Sequence, residues 1–443
     1  MCATILERGV DHVLAGGGQV VERHLEGLHD DARVHHDDGA RIRGRDRPNQ
    51  VVLARGQGEG LLRAGEDEVQ LPLVAPHLGT GDAGDRIDEE DDVLELVDDL
   101  GELIDRVERA AHGGGEAAEA AGFEYMLVPV QTACWEAWIS SAMMVGRSKS
   151  IRMLVAARPS YINPVLLAKM IAAFDRLSGG SVCINLIAGQ SEAENAQEGV
   201  KWGKEERYEI MDEEVTLLKM LWTQPSVSYD GKFYQLKGAQ VRPRPLQQPH
   251  PKFYLGGGSR QAWEISAKHS DVHLFWGDTY DRIRANMAEI RGMAARHGRE
   301  KEIGFGMRLQ IVCRPTEREA WDAAHELVGH ASEAQKAFVK QHFATSQANL
   351  RVRELAAMGE VIERNLWTGI TQVRPGAGIA IVGTPEQCAD TIQDFIDLGC
   401  HSFCLSGYLH DEEAERFGKW VMPILRARSA AGRLVAVRKG RLR

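Results

Sequence analysis

Phenylalanine, tyrosine, tryptophan, lysine and serine are all missing from residues 1–122, although the 443-residue chain holds 9 Trp, 8 Tyr and 11 Phe. A stretch without aromatic rings has little large apolar surface to offset chain entropy, so an ordinary packed core is excluded there. No run of about 18 apolar residues occurs, which excludes a membrane-spanning helix, and the first residues lack the basic-then-apolar order of a signal peptide. The seven cysteines, at 2, 134, 183, 313, 388, 400 and 404, show no C-x-x-C pair, so zinc and dithiol redox chemistry find no signal. A reducing cytoplasm is the expected setting.

Charge divides where the aromatics do. Residues 1–122 carry 12 Arg against 28 Asp and Glu, which leaves 41 basic against 36 acidic residues in the remainder. The overall −11 is therefore a property of the N-terminal segment alone. A mild positive excess elsewhere suits small anionic ligands and is too weak for nucleic acid.

The segment 1–115 reads as an atypical acidic stretch, either disordered or the translation of a non-coding frame of GC-rich DNA. Its Gly16-Gly17-Gly18 lacks the spacing of a dinucleotide fingerprint. The run His35-His36-Asp37-Asp38 suits a solvated loop better than a metal site, because adjacent side chains point apart. Asp88 to Arg109 has helical periodicity.

From Glu116 the chain alternates short β-rich runs with helical stretches, the pattern of parallel βα units. Strands are expected at Tyr125–Pro129, Met153–Ala157, Val182–Ile187, Phe253–Gly256, Val272–Trp276, Phe305–Val312 and Ser402–Ser406. Seven such runs, apolar enough to be covered on both faces, fall one short of a (β/α)8 TIM barrel. Asn163-Pro164 signals a helix start and Gly179-Gly180 a stop. Asp230-Gly231 signals a hairpin with a type I′ turn. Residues 331–372, before the last strand, exceed an ordinary connection and serve either as a lid or as a helical excursion. The barrel domain is expected over 116–426, with a basic tail over 427–443.

Reacting groups of a parallel barrel sit at the C-terminal ends of its strands. Those positions hold Cys134, Asn185, the run Gly256-Gly257-Gly258-Ser259, Trp276, Arg308, Gln310, Tyr408 and His410. A glycine run after a strand lets backbone N–H groups approach a phosphate, with Ser259 as an added donor; a plain tight turn would use the same residues. Arg308, inside an apolar strand, needs a polar mouth or a buried partner. His410 suits proton transfer near neutral pH, or simply caps the following helix, Asp411 to Leu425. Cys134 is otherwise inert packing.

Several segments, taken in order, resemble the bacterial luciferase-like flavin monooxygenases, most closely the FMNH2-dependent alkanesulfonate monooxygenases. They include Val128-Pro129 with Cys134 and Trp138, Ala157-Arg158-Pro159-Ser160, Asp175-Arg176-Leu177-Ser178-Gly179-Gly180, and Asn185-Leu186. Further along come Glu206-Arg207-Tyr208-Glu209, Tyr254-Leu255-Gly256-Gly257, Trp276-Gly277, Gly306-Met307-Arg308-Leu309, Val373-Arg374-Pro375-Gly376-Ala377-Gly378 and Ser406-Gly407-Tyr408-Leu409-His410. The resemblance covers about residues 117–426 and implies a two-component enzyme. A separate NAD(P)H-dependent FMN reductase would supply reduced FMN, O2 would be the co-substrate, and a small alkanesulfonate would leave as sulfite and aldehyde. A sulfone monooxygenase, a deazaflavin-dependent oxidoreductase and an inactive flavin-binding relative are the alternatives.

By the same resemblance, Tyr208, Gly257, Gly258 and Ser259 would hold the FMN phosphate, and Asn185 and Ala188 would flank its ring. Arg308, Arg374, His410, Tyr408 and Cys134 would be catalytic, with Trp276 and Gln310 lining the substrate pocket, no metal, and a homo-oligomeric assembly. Gln310 replaces the family's usual His, Leu409 its usual Pro, and Trp135 and Ala188 its polar residues, which points to a narrower or more apolar pocket. The first barrel strand is expected to be atypical or missing, with Gln50–Leu53 and Val69–Val74 as substitutes.

Overall fold

The computed structural model describes residues 2–5, 115–131, 134–189, 192–332, 336–337, 339, 347–373 and 376–430, with 2–5 as backbone only. The glycine run at 16–18, the His-Asp run at 35–38, the helix over 88–109, the substitute strands and Arg374 all lie outside these residues. So does most of the 427–443 tail.

Eight strands close a ring. In chain order they are β1 (Cys2–Ile5), β2 (Tyr125–Val128), β3 (Arg152–Ala157), β4 (Val182–Leu186), β7 (Phe253–Gly256), β8 (Val272–Trp276), β9 (Gly304–Cys313) and β13 (Ser402–Ser406). The last seven pair in parallel with one another along the ring, as the apolar runs predict. The eighth place is taken by β1, which runs antiparallel between β2 and β13, with Ala3 opposite both Met126 and Leu405. The atypical first strand is thus an antiparallel stave from the chain's beginning.

The helices are α1 (Ala137–Val145), α2 (Pro164–Leu177), α3 (Glu192–Gln197), α4 (Lys204–Thr223), α5 (Arg260–His269), α6 (Tyr280–Ala295), α7 (Glu317–Gly329), α8 (Gln347–Met358), α9 (Pro385–Leu398), α10 (His410–Arg416) and α11 (Met422–Ala430). The start signal of α2 holds: Asn163 caps it by accepting from the Val165 N–H, and Pro164 occupies the first turn. Gly179 and Gly180 end it at φ +67° and +90°, a conformation that favours glycine. Buried Asp175 accepts from Leu246 N, Gln247 N and Gln247 Nε2, so the Asp-Arg-Leu-Ser-Gly-Gly segment ties down the loop that leads into β7.

Three expectations change. The hairpin exists, as β5 (Val227–Asp230) and β6 (Gln235–Ala239), but Gly231 does not have positive φ and the loop is longer than two residues. The Glu213 carboxylate accepts from the N–H groups of Lys232, Phe233 and Tyr234, satisfying the donors that a tight turn would have paired. His410 is the first helical residue of α10, with Leu409 at the cap, and a π-helical turn at Phe417–Val421 separates α10 from α11. The insertion holds α8 and a short antiparallel pair, β10 (Val361–Glu363) and β11 (Leu366–Trp367). It then leads into β12 (Ala380–Gly383), which pairs in parallel with the upper half of β9 beyond the end of β8. Among the described residues no helix is long and apolar enough to cross a membrane.

Candidate active site at the barrel mouth

Alternation along the strands decides what faces inward. Tyr125, Leu127, Leu154, Cys183, Tyr254, Val272, Leu274 and Cys404 form a cluster of their own, separate from the layer beneath the helices, and mark the barrel interior. On β9 the residues in phase with this set are Gly304, Gly306, Arg308 and Gln310, whereas Phe305, Met307 and Leu309 join the helix-facing core. Gly306 has no room for a side chain: a Cβ would come within 2.8 Å of Leu274 Cδ2 and 2.5 Å of the Ser402 carbonyl. The interior is full at that level, and half-buried Arg308 stands one level above it, in register with Trp276 and Cys404.

The same phase carries Asn185, 7% exposed, to the mouth end of β4. Asn185, Trp276, Arg308 and Gln310 therefore share the interior phase toward the mouth ends of their strands. Gln310 is 1% exposed, and its Nε2 donates to the Ala377 carbonyl at 2.9 Å. Its amide thus anchors the loop that follows Arg374. The neighbouring Gly376 N–H donates to Asn349 Oδ1 of α8 at 2.9 Å, so two buried carboxamides pin this loop to the barrel and to the insertion. Arg351 of α8 forms a bidentate pair with buried Asp278, just past β8, at 2.7 and 2.8 Å.

A second group assembles after β7. Ser259 caps α5, accepting from Ala262 N at 3.2 Å while donating to the Tyr208 hydroxyl of α4 at 3.3 Å. Gly257 has φ +139°, and a Cβ there would meet Ala262 Cβ at 3.0 Å and lie 3.9 Å from the Tyr208 oxygen. Gly258 is exposed beside Ala348 of α8. Burial raises the Tyr208 pKa, partly countered by Ser259 and Arg207, so its hydroxyl stays a donor. Two hydroxyls, an open glycine backbone and the first turn of a helix make a cradle that fits a phosphate. Among the expected phosphate residues, all four are together.

Cys134 is half-buried near Arg158 and Glu194, and burial raises its thiol pKa, which keeps it protonated. Ala188 is half-buried, and its carbonyl accepts from Arg207 Nε at 2.7 Å. Tyr408 is half-buried against the apolar cluster of Val312, Ala380, Trp367 and Ile370, and exposed His410 lies 6.4 Å from it between ring centroids. Trp135, one of the departures, is 54% exposed.

Several mouth residues escaped the sequence reading. Arg158, just past β3 and 6% exposed, binds Glu194 Oε2 and the Val130 carbonyl, both at 3.0 Å, together with Glu198. Arg207, 2% exposed, joins Glu192 to the Ala188 and Trp202 carbonyls. The quoted segment containing Arg158 was the available signal; pairing with Glu residues 36 to 40 positions away was not. Ser160 holds φ +70°, uncommon for a residue with a side chain, and its N–H donates to buried Glu214 at 3.1 Å.

Burial pushes the Glu214 carboxyl up to about 8, against the pull of the Ser160 N–H and the Tyr234 hydroxyl. In the unfolded chain it titrates near ~4.3. Between those values the folded protein keeps a proton that the unfolded chain has lost, so this group makes stability fall as pH rises through the window. Glu214→Gln is expected to raise the melting temperature more at about pH 8.5 than at about pH 5. Parallel calorimetric curves for the two proteins would contradict this.

The profile of the luciferase-like monooxygenases matches residues 108–402. Among solved structures, EDTA monooxygenase (EmoA) from Chelativorans sp. BNC1 aligns with a TM-score of 0.60 and 21% identity over 71% of this chain and 85% of that one. DmoA from Hyphomicrobium sulfonivorans gives 0.62 and 18% over 72% and 82%. The coenzyme F420-dependent tetrahydromethanopterin reductase from Methanopyrus kandleri gives 0.54 and 18% over 72% and 95%. At these identities the structures establish a shared fold, a luciferase-like TIM barrel.

Proposed function

The chain belongs to the luciferase-like monooxygenase family, and from that premise we propose that it is an FMNH2- and O2-dependent monooxygenase of a small alkanesulfonate. The observation that carries the anionic substrate is Arg308, raised on the glycine floor of β9 into the barrel mouth beside Trp276. A guanidinium fork matches the oxygens of a compact sulfonate and keeps it oriented.

The cradle of Gly257, Gly258, Ser259 and Tyr208 takes the phosphate of FMN, and Asn185 with the 188–189 backbone flanks the ring. Reduced FMN supplies the electrons that activate O2 for cleavage of the carbon–sulfur bond. Arg308 holds the sulfonate over that position, and Arg374 adds a second positive charge. Cys134, a thiol at neutral pH, donates a hydrogen bond toward a developing oxyanion, and Tyr408 with His410 carries the proton to and from solvent. The apolar wall at Trp276 excludes water. Flavin reduction occurs on a partner reductase, in the cytoplasm, and the enzyme is a homo-oligomer.

The purified full chain, an NAD(P)H-dependent FMN reductase and a series of linear alkanesulfonates form the test. Sulfite is expected with O2 and none without it. Turnover of a reduced deazaflavin, with no FMN binding and no sulfite from any member of the series, would reject the proposal.

A further inference from the structure

Helix α3 follows β4 and carries a buried side chain, Asn195, that is without a partner among the described residues. Asn195 is 2% exposed, and among the described residues neither its Oδ1 nor its Nδ2 has a hydrogen-bond partner. Buried polar groups are nearly always satisfied, and each orphan costs roughly 1–3 kcal/mol, so two on one amide mark a group waiting for a ligand. Its carboxamide lies against Gly189, where a Cβ would meet Oδ1 at 2.5 Å and Nδ2 at 3.1 Å. Gly189 also has φ +84°, so backbone conformation and the approach of Asn195 both require glycine there. It directly follows Ala188, at the exit of the strand that carries Asn185.

The charges around α3 are committed to one another. Arg158 pairs with Glu194 and Glu198, and Arg207 with Glu192, which also feels Lys204, so three carboxylates face three cations. The charges beside α3 are balanced and suit an uncharged group, in contrast to the cradle after β7 and to Arg308. A carboxamide offers donors and an acceptor in one plane, the complement of a neutral ring edge that alternates C=O and N–H.

We infer that Asn195 is a cofactor-binding residue whose carboxamide reads the neutral pyrimidine edge of the isoalloxazine ring. The inference rests on the proposed flavin dependence and adds the residue that selects the ring, as the glycine cradle selects the phosphate. Paired buried guanidiniums at Arg158 and Arg207 hold α3 in place for this contact.

Lumiflavin, which has the ring and no phosphate, and inorganic phosphate separate the two ends in fluorescence titrations of the full chain. Asn195→Ala and Asn195→Leu are expected to weaken lumiflavin and FMN binding by the same factor, about tenfold or more, the worth of one to two hydrogen bonds. Displacement of FMN by phosphate should report an unchanged phosphate affinity. Ligand-free Asn195→Leu should melt no lower than wild type, because an apolar side chain of similar size replaces an unsatisfied amide. Wild-type lumiflavin affinity in either variant, or a lower melting temperature for Asn195→Leu, would show that Asn195 only fills space and overturn the inference alone. Failure of the wild-type protein to bind any flavin would overturn the flavin reading and this inference together.

Discussion

Arg308→Ala is expected to lower kcat/KM for an alkanesulfonate by roughly 10²–10³-fold while leaving the FMN dissociation constant within about threefold. A charge-assisted guanidinium fork is worth roughly 3–4 kcal/mol where water is excluded, and nothing else on the interior face of β9 replaces it. Below Arg308 lie Gly306 and Gly304, which have no side chains, and above it Gln310 is bound to the Ala377 carbonyl. Arg308→Lys keeps the charge and loses the fork, so its activity should fall between those of the wild type and the alanine variant. Steady-state sulfite release checks both. A normal rate for Arg308→Ala would remove this residue from the site.

Gly257→Val is expected to raise the FMN dissociation constant by at least about 100-fold and that of lumiflavin by no more than about threefold. The φ of +139° is strained for a branched side chain, and the added carbon would close the space between Ala262 and the Tyr208 hydroxyl that the phosphate needs. The proposed ring contacts follow β4, the strand paired with β7, and do not include Gly257, so the loss should fall mainly on the phosphate. Tyr208→Phe is the milder companion, removing one hydroxyl donor while keeping the ring. Equal losses for both ligands would mean that the loop shapes the whole pocket and has no specific role in holding the phosphate.

Local signals carried a large part of the fold. Seven strands were legible because β-rich runs sit between glycine and proline stops, and the ends found for Phe253–Gly256, Val272–Trp276 and Ser402–Ser406 are the expected ones. The glycine run proposed to hold a phosphate was legible for the same reason, since it sits between a strand and a helix. Cys2–Ile5 was not. Four residues are too few for a periodicity, and their selection depends on backbone hydrogen bonds to strands more than 120 and about 400 positions away. The short β12 escaped for a similar reason.

At the site, the residue types at strand ends named Asn185, Trp276 and Arg308, and the alternation of β9 confirms that Arg308 shares the interior phase. The role of Gln310 was not readable, because its partner is a backbone carbonyl 67 residues along. Nor was Glu214, whose raised pKa comes from burial against Ser160 and Tyr234.

The sequence by itself determined the family, the βα order and the strand-end positions proposed to hold a phosphate and an anion, since these follow from local propensity and from motifs whose residues are close neighbours. The aromatic-free start of the chain marked where that order fails. Only the tertiary structure decided that an antiparallel stave closes the ring, that Arg158 and Arg207 pair with the carboxylates of α3, and that Asn195 is buried and unpaired among the described residues. Burial and pairing are set by contacts between distant segments, and a buried amide without a partner has no signature in the order of residues.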